Sequence, residues 1–200
     1  MTAGQRFARA VTTLVVRAPG AWRLFRGPVA RMFDRIAPEW EGRRTASIRL
    51  APALAGLDAL PAPPARILDL GTGTGALARA AAGRFPAAEV VGVDVSSGMI
   101  DVARGLAGSR ERYETGDASA LPYEDGSFDL VTLNNMIPFF DELARVTAPG
   151  GHVLVAYALG ARTPIWVPLD RVRAELERRG FEHVGDFAAG DGVSLVARRR

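Results

Sequence analysis

A short apolar segment that leads straight into a glycine-rich turn constrains the fold of this chain more than any other feature. Arg66–Leu70 has the length and apolar character of a buried strand, and the turn at residues 71–75 separates it from the alanine-rich segment Ala76–Arg84. Glycine permits positive φ and leaves room for a ligand beside the unpaired N–H groups of a helix N-terminus. The segment therefore predicts a strand, a ligand-binding turn and a helix.

Short apolar runs alternate with helical segments along the rest of the chain. Further strands are predicted at Glu89–Val93, Arg112–Glu114, Phe128–Leu133 and Gly151–Ala158, and further helices at Gly98–Ala107, Phe139–Val146 and Leu169–Arg179. Such alternation is typical of a parallel sheet with helices on both faces. At the C-terminal end, Glu182–Phe187 and Val193–Arg198 flank a turn and predict an antiparallel pair. The expected fold is α/β: a three-layer α-β-α, Rossmann-like, mostly parallel sheet with an antiparallel last strand.

The first 60 residues follow a different pattern. Apolar residues from Phe25 to Ile36 recur at helical spacing, and a weaker stripe runs from Phe7 to Val15. Pro19-Gly20 and Gly27-Pro28 punctuate these stretches, which predicts two or three short helices. The prolines at residues 61–64 then indicate a stiff connector. We expect an N-terminal helical cap over residues 1–60 and a catalytic domain over residues 61–200.

Two acids follow the first two predicted strands and indicate a nucleotide-like cofactor. Asp94 ends the second strand, where a carboxylate can accept both hydroxyls of a ribose. Asp69 lies two residues before Gly71, where it suits a cationic ammonium and would repel a pyrophosphate. Gly71-x-Gly73-x-x-Ala76 nevertheless satisfies the dinucleotide fingerprint in form, so an NAD(P)-binding oxidoreductase is the alternative interpretation.

Taken in order, the motifs resemble those of the class I S-adenosylmethionine (SAM)-dependent methyltransferases. They are Ile67–Gly75, Asp94, Gly116–Ala118, Phe128–Asn134 and Ala148–Gly151, within residues 65–158. The segment Met32–Trp40 also resembles the entry region of small-molecule methyltransferases of the quinone-modifying type. The resemblance implies a seven-stranded sheet, SAM as cofactor and methyl transfer to a small or medium-sized acceptor.

The resemblance also implies a role for individual residues. Those implied to hold the methionine portion of SAM are Asp69, Gly71, Thr72, Gly73 and Gly75. Asp94 would bind the ribose hydroxyls, with Val95 and Met99 flanking the adenine. Asp117 would accept from the adenine amino group, the Ala118 amide would meet the ring, and Asn134 would lie near the transferred methyl.

The substrate half departs from the family pattern. No His or acid stands at Leu133–Phe140, where a base is sometimes found, so the catalytic residue is unassigned. Only Gly160–Pro168 separates the fifth strand from the last helix, which leaves the N-terminal region as the expected lid. Trp22, Trp40 and Trp166 fall in segments expected to cover the mouth of the site, where they indicate either an apolar or aromatic acceptor or ordinary aromatic packing. A non-catalytic SAM-binding protein is a further alternative.

Composition and charge bear on metal binding, on nucleic-acid binding and on the location of the protein. The chain has no cysteine and two histidines without metal-ligand neighbours, so no metal site is expected. Its 25 basic residues are all arginine, and residues 1–49 hold ten of them against three acids, a net charge of +7. Such an asymmetry can indicate a basic arm that binds nucleic acid or an anionic surface, but a solvated helix face explains the charge better. Without a long apolar run or a clear signal peptide, the expectation is a cytoplasmic, non-transmembrane monomer or homodimer.

Overall fold

Seven strands form one sheet in a computed structural model that describes residues 3–41 and 46–200, with side chains described for residues 4–41 and 49–200. The strands are β1 Arg66–Leu70, β2 Glu89–Asp94, β3 Glu111–Thr115, β4 Phe128–Asn134, β5 Thr147–Tyr157, β6 Phe181–Ala189 and β7 Gly192–Arg199. Their order across the sheet is β3-β2-β1-β4-β5-β7-β6. Strands β1 to β5 pair in parallel, and β7 is antiparallel to both β5 and β6. The predicted fold class is confirmed.

The predicted strands are all present, and β5 differs most in its limits. It begins at Thr147, four residues before the predicted start, because Thr147 already pairs with Phe128 of β4. A register shift between Phe128 and Leu130 separates this first pair from the regular ladder. Pro149 and Gly150, which precede the predicted strand, therefore lie within an irregular part of β5.

Seven helices accompany the sheet in the described part of the chain. They are α1 Ala3–Arg17, α2 Trp22–Ile36, α3 Ala46–Asp58, α4 Ala76–Arg84, α5 Ser97–Gly105, α6 Phe140–Val146 and α7 Leu169–Glu177. The predicted helices after residue 60 agree with these bounds to within two residues. Within the described ranges, no helix combines the length and apolarity needed to cross a bilayer.

The prediction that Gly27-Pro28 interrupts the N-terminal helices is wrong. Pro28 lies inside the 15-residue helix α2. A proline in a helix removes the hydrogen bond to the carbonyl four residues earlier, here that of Leu24. Leu24 and Pro28 are both on the exposed side of α2, where water can replace the lost donor. Exposure therefore explains why α2 continues through this proline.

Apolar cores cover both faces of the sheet. One core joins β1, β2, β4 and β5 to α6 and α7, and Val11, Val15 and Trp22 of the N-terminal helices pack into it. The other core packs α3, α4 and α5 on the opposite face. The boundary at residue 60 stays a prediction. Helix α3, which it places in the cap, lies against the sheet, where Ser194 Oγ donates to the Pro52 carbonyl at 2.7 Å.

Candidate functional site

The glycine-rich turn between β1 and α4 adopts a conformation that few other residues could adopt. Gly71 and Gly73 have φ of 64° and 57°. A Cβ at Gly71 would lie 2.5 Å from Met136 Cγ, whereas a Cβ at Gly73 would meet nothing within 4 Å. Gly71 is therefore needed for packing, and Gly73 faces open space on the cavity side of the turn.

Asp69 lies at the centre of the site with both carboxylate oxygens engaged. Thr72 Oγ1 donates to Oδ2 at 2.6 Å, and Thr132 Oγ1 donates to Oδ1 at 2.7 Å. The residue is 2% exposed. Burial raises the pKa of Asp69 to about 6, against the two threonine hydrogen bonds that lower it. Asp69 thus fixes the turn to β4 and contributes a carboxyl whose charge changes near neutral pH.

Asp94 joins the glycine-rich turn to the end of β2. The Gly73 N–H donates to Asp94 Oδ2 and the Ser96 N–H donates to Oδ1, each at 2.9 Å. Burial raises the pKa of Asp94, while these backbone hydrogen bonds lower it. The carboxylate therefore holds the turn in place and still lies on the cavity wall.

A hydrogen-bonded chain continues from Asp94 into the N-terminal helices. Ser96 is buried, and its hydroxyl donates to Asp34 Oδ1 of α2 at 2.6 Å. The Gly98 N–H donates to the same oxygen at 3.0 Å, so Asp34 occupies the N-terminus of α5. These hydrogen bonds lower the pKa of Asp34. Helix α2 is thereby connected to the glycine-rich turn through Ser96 and Asp94.

Asp117 also binds the N-terminal helices. Its Oδ1 accepts from Trp22 Nε1 at 2.9 Å and from the Ser119 amide and hydroxyl. Its Oδ2 pairs with Arg26 Nη1 at 3.2 Å. Burial alone would raise the pKa of Asp117, but these hydrogen bonds hold it below its usual range. Both oxygens of Asp117 thus bind protein donors, and its role toward an adenine stays a prediction.

Asn134 at the end of β4 is a buried polar group with unused capacity. Its Nδ2 donates to the main-chain oxygen of Arg49 at 3.5 Å, and among the described residues its buried Oδ1 has no hydrogen-bond partner. The next residue, Asn135, has a left-handed φ of 57°, and its Oδ1 accepts the Ala158 N–H at 2.8 Å. Strain of this kind is common at functional sites. Asn134 therefore lines the cavity and carries a buried acceptor that has no donor among the described residues.

These groups surround one cavity of about 800 Å³, within the range of about 300–1,000 Å³ usual for small-molecule sites. The glycine-rich turn and the ends of β1, β2 and β4 form one wall. Helices α1 and α2 supply much of an apolar wall opposite, whose side chains include Phe7, Val11, Val29, Met32, Phe33, Ile36 and Trp40. The cavity therefore has a polar half on the sheet and an apolar half under the cap.

Nine of the eleven predicted site residues line this cavity. They are Asp69, Gly71, Thr72, Gly73, Asp94, Val95, Met99, Ala118 and Asn134. Gly75 and Asp117 are not among the lining residues. Gly75 instead lies behind the turn, where a Cβ would meet the Tyr113 hydroxyl at 2.5 Å.

Arg49 and Glu41 are cavity-lining residues that the sequence did not single out. Arg49 is the one arginine among the described lining residues, and its guanidinium carbon lies 5.1 Å from the centre of the Trp40 ring. Glu41 accepts from Thr74 Oγ1 and lies 3.8 Å from Arg79. Both lie in the N-terminal region, where no motif surrounds them. In the described ranges, no group of three His, Asp or Glu side chains could hold a metal ion.

Solved structures that share this architecture include a methyltransferase and a cyclase. A SAM-dependent methyltransferase from Aquifex aeolicus superposes with a TM-score of 0.66 and 17% identity, covering 79% of this chain and 95% of that one. The [4+2]-cyclase SpnF superposes with a TM-score of 0.66 and 20% identity over 86% and 94% of the two chains. The seven-stranded sheet and the cavity beside its glycine-rich turn thus define the Rossmann-like methyltransferase fold.

Sequence relatives identify the family. Residues 67–151 match the model of the methyltransferase domain. A demethylmenaquinone methyltransferase from Clavibacter sepedonicus is 38% identical over 86% of this chain and 70% of its own. One from Thermus thermophilus is 41% identical over 62% and 63%, and a malonyl-[acyl-carrier protein] O-methyltransferase from Geobacter sulfurreducens is 36% identical over 62% and 58%. The chain belongs to the class I SAM-dependent methyltransferases, although it spans less than two thirds of the last two relatives.

Proposed function

We propose that this protein transfers a methyl group from SAM to a small or medium-sized apolar acceptor. The observation that carries the proposal is the continuity of the cavity, which joins the glycine-rich turn to the apolar faces of α1 and α2. A cofactor in the polar half and an acceptor in the apolar half would share one enclosed space. Family membership favours SAM over a dinucleotide as the cofactor.

The polar half suits the ribose and sulfonium parts of SAM. Gly73 leaves open space where any side chain would intrude, and Asp94 offers carboxylate oxygens at the end of β2. Among the described lining residues, Glu41, Asp69 and Asp94 place three carboxyl groups on the cavity wall, and Arg49 contributes a guanidinium. This excess of acids favours a ligand that carries positive charge.

The methionine end of SAM would lie between Asn134 and Arg49. The unpartnered Oδ1 of Asn134 is a suitable acceptor for the ammonium group, because a buried acceptor without a donor is costly. Arg49 can pair with the carboxylate, which needs a cation in a site otherwise lined by acids. Asp69 would act indirectly, because its carboxylate holds the side chains of Thr72 and Thr132 in position.

Catalysis would depend on holding the acceptor atom in line with the methyl group of SAM. SAM supplies a methyl group bonded to a positively charged sulfur, and the acceptor atom forms its bond to that carbon as the carbon–sulfur bond breaks. Positioning of two reactants can contribute about 7–11 kcal/mol in favourable models. Glu41 and Asp69 are occupied by threonine hydroxyls, so we assign no general base. The acceptor is therefore expected to ionise easily, as a phenol or an enol does.

The named relatives support this acceptor class. Two of them are demethylmenaquinone methyltransferases, and the cap contributes aromatic and aliphatic side chains to the cavity, among them Phe33 and Trp40, whose rings lie 5.9 Å apart. We therefore propose a ring-bearing apolar acceptor whose ionisable group faces Asn134.

Calorimetry with S-adenosylhomocysteine tests the cofactor half of the proposal. Replacement Asp94→Ala removes the proposed ribose acceptor and the Gly73 partner, and should weaken binding about 100-fold, since each hydrogen bond to a charged group contributes about 1.5–3 kcal/mol. The matched control Asp101→Ala alters an exposed acid of α5 and should bind like the wild type. Absence of binding, or tighter binding of NAD(P), would contradict the proposal.

Turnover tests the acceptor half separately. The protein is incubated with methyl-labelled SAM and reduced quinones that carry a free ring position, and label is measured in the extracted product. Label in the quinone supports the proposal. Cofactor binding without labelled product across phenols, quinols and carboxylic acids would favour the non-catalytic SAM-binding alternative.

A further inference from the structure

Helices α1 and α2 expose an unusual concentration of large apolar side chains. Phe7 is 51% exposed, Leu14 44%, Leu24 75% and Met32 38%. Single exposed apolar residues are normal on soluble proteins. Here, however, the two helices hold four of the seven large apolar side chains that are exposed in the described residues. This clustering calls for a specific explanation.

Arginines lie between these apolar residues. On α1, Phe7 and Leu14 are two turns apart on one stripe, with exposed Arg6 and Arg17 beside it. On α2, exposed Arg23, Arg31 and Arg35 accompany Leu24 and Met32 in the same way. Residues 3–41 contain seven arginines and three acids, a net charge of +4. A helix face that alternates arginine with leucine or phenylalanine is typical of binding at the boundary between headgroups and acyl chains.

The mouth of the cavity opens on this surface. Phe7 and Met32 line the cavity and keep much of their surface exposed, so the cavity is open beside these two side chains. The rings of Phe7 and Phe25 lie 6.3 Å apart and join α1 to α2 beside the opening. A ligand that enters between the two helices would therefore cross the exposed apolar surface first.

We propose that the outer faces of α1 and α2 bind a lipid bilayer that carries anionic headgroups, with the cavity mouth turned toward the acyl chains. Arginines would pair with lipid phosphates while Leu14 and Leu24 enter the boundary region. An apolar ligand could then pass between bilayer and cavity without crossing water. The proposal concerns this surface alone and does not depend on methyl transfer.

Charge and chemistry favour a bilayer over two other occupants. In a twofold dimer through this face, the arginines of one copy would oppose the same arginines of the other. A nucleic acid would match the arginines but would leave Leu24 and Leu14 against phosphate and water. Only a surface that is anionic outside and apolar beneath matches both kinds of side chain.

Vesicle co-sedimentation of the whole chain tests the proposal. Wild-type protein should sediment with vesicles that contain phosphatidylglycerol, and much less with pure phosphatidylcholine or at high salt. The double variant Leu14→Ser/Leu24→Ser should lose about tenfold in affinity per leucine. Its control, Leu106→Ser/Val184→Ser, removes two apolar residues of similar exposure elsewhere and should bind normally. Neither leucine lines the cavity, so S-adenosylhomocysteine binding should be unchanged in both variants.

A second set of double variants, in which arginines are replaced, tests the contribution of charge. Arg17→Gln/Arg23→Gln should weaken vesicle binding, whereas Arg84→Gln/Arg110→Gln, on arginines outside the cap, should not. Circular dichroism and the melting temperature of each variant show whether it is folded. Equal sedimentation of the leucine variant and the wild type would overturn the proposal. So would binding that ignores lipid charge, a loss of dimer in the leucine variant without any vesicle binding, or preferential binding of RNA.

Discussion

The polar and apolar halves of the cavity are built in different ways. In the polar half, backbone conformation and buried hydrogen bonds fix each group, as with the left-handed Gly73 and its bond to Asp94. In the apolar half, side chains of α1 and α2 form the wall, and a few polar contacts such as those of Arg9 and Trp22 hold the helices in place. The polar half is therefore fixed by backbone conformation and hydrogen bonds, whereas the apolar half can change through its side chains alone.

The largest expected effect lies in the polar half, at Gly71. Gly71→Ala imposes a left-handed conformation on alanine and places its Cβ 2.5 Å from Met136 Cγ. Together these should lower the free energy of unfolding by about 3 kcal/mol, as measured by urea denaturation.

The matched control is Gly73→Ala, which has the same backbone strain but open space around its Cβ. It should cost only about 1–2 kcal/mol of stability and should instead weaken S-adenosylhomocysteine binding, because the added methyl enters the cavity. Equal destabilisation by the two substitutions would show that packing against Met136 contributes nothing.

Replacing Asp69 tests whether its buried carboxyl, at the centre of the polar half, lowers the free energy of unfolding at neutral pH. The pKa of Asp69 is raised in the folded protein to about 6 from 3.8. Its contribution to stability is therefore complete below pH 3.8 and is lost as the pH rises through about 6. Integrated over that window, the loss is about 3 kcal/mol.

Asp69→Asn should remove this pH dependence, because the amide stays neutral and can still accept from Thr72. Asp34 and Asp117, whose pKa values are lowered, gain stability with rising pH in both proteins, so the readout is the difference between the two curves. The free energy of unfolding of the variant relative to the wild type should rise by about 3 kcal/mol from acidic to neutral pH. Asp58→Asn, at an exposed acid paired with Arg84, should follow the wild type. Parallel curves for wild type and Asp69→Asn would contradict the assignment.

The smallest expected effect lies in the cap, at Arg9. Its guanidinium donates to the carbonyls of Ala161 at 2.8 Å, Thr163 at 2.5 Å and Pro164 at 3.1 Å, which join α1 to the loop after β5. Arg9→Ala should cost about 1–2 kcal/mol, seen as faster hydrogen exchange in α1. Arg17→Ala, on the exposed end of α1, should leave exchange unchanged.

A variant that raises the KM for the acceptor but not for SAM would sharpen the contrast between the two halves.

The same contrast explains how much the sequence could predict. The strand, turn and helix around Gly71 were predictable because only glycine tolerates left-handed backbone in contact with Met136, and such constraints leave a local pattern. Alternation of strands and helices predicted a parallel sheet with helices on both faces, and the resemblance to the methyltransferases implied its seven strands. The sheet-side residues of the cavity were mostly identified for the same reason.

The cap was harder to predict, because tertiary contacts decide its structure. Pro28 resembles a helix end in sequence and becomes tolerable only because it lies on the exposed side of α2. No sequence pattern distinguishes Arg49 from the other arginines. Its position in α3 places it at the cavity, beside Trp40. Asp117 was identified as a ligand residue, but no sequence pattern indicates its bonds to Trp22 and Arg26, about 90 residues earlier.

The hydrogen-bonded chain from Asp34 through Ser96 and Asp94 to Gly73 has a thermodynamic consequence. It makes one helix of the proposed lipid-binding surface a direct neighbour of the proposed ribose subsite. Linkage is reciprocal: if the bilayer shifts α2 enough to change cofactor affinity by some factor, the cofactor changes bilayer affinity by that same factor. Where this coupling is favourable, the protein would hold its cofactor more tightly on the bilayer than in solution.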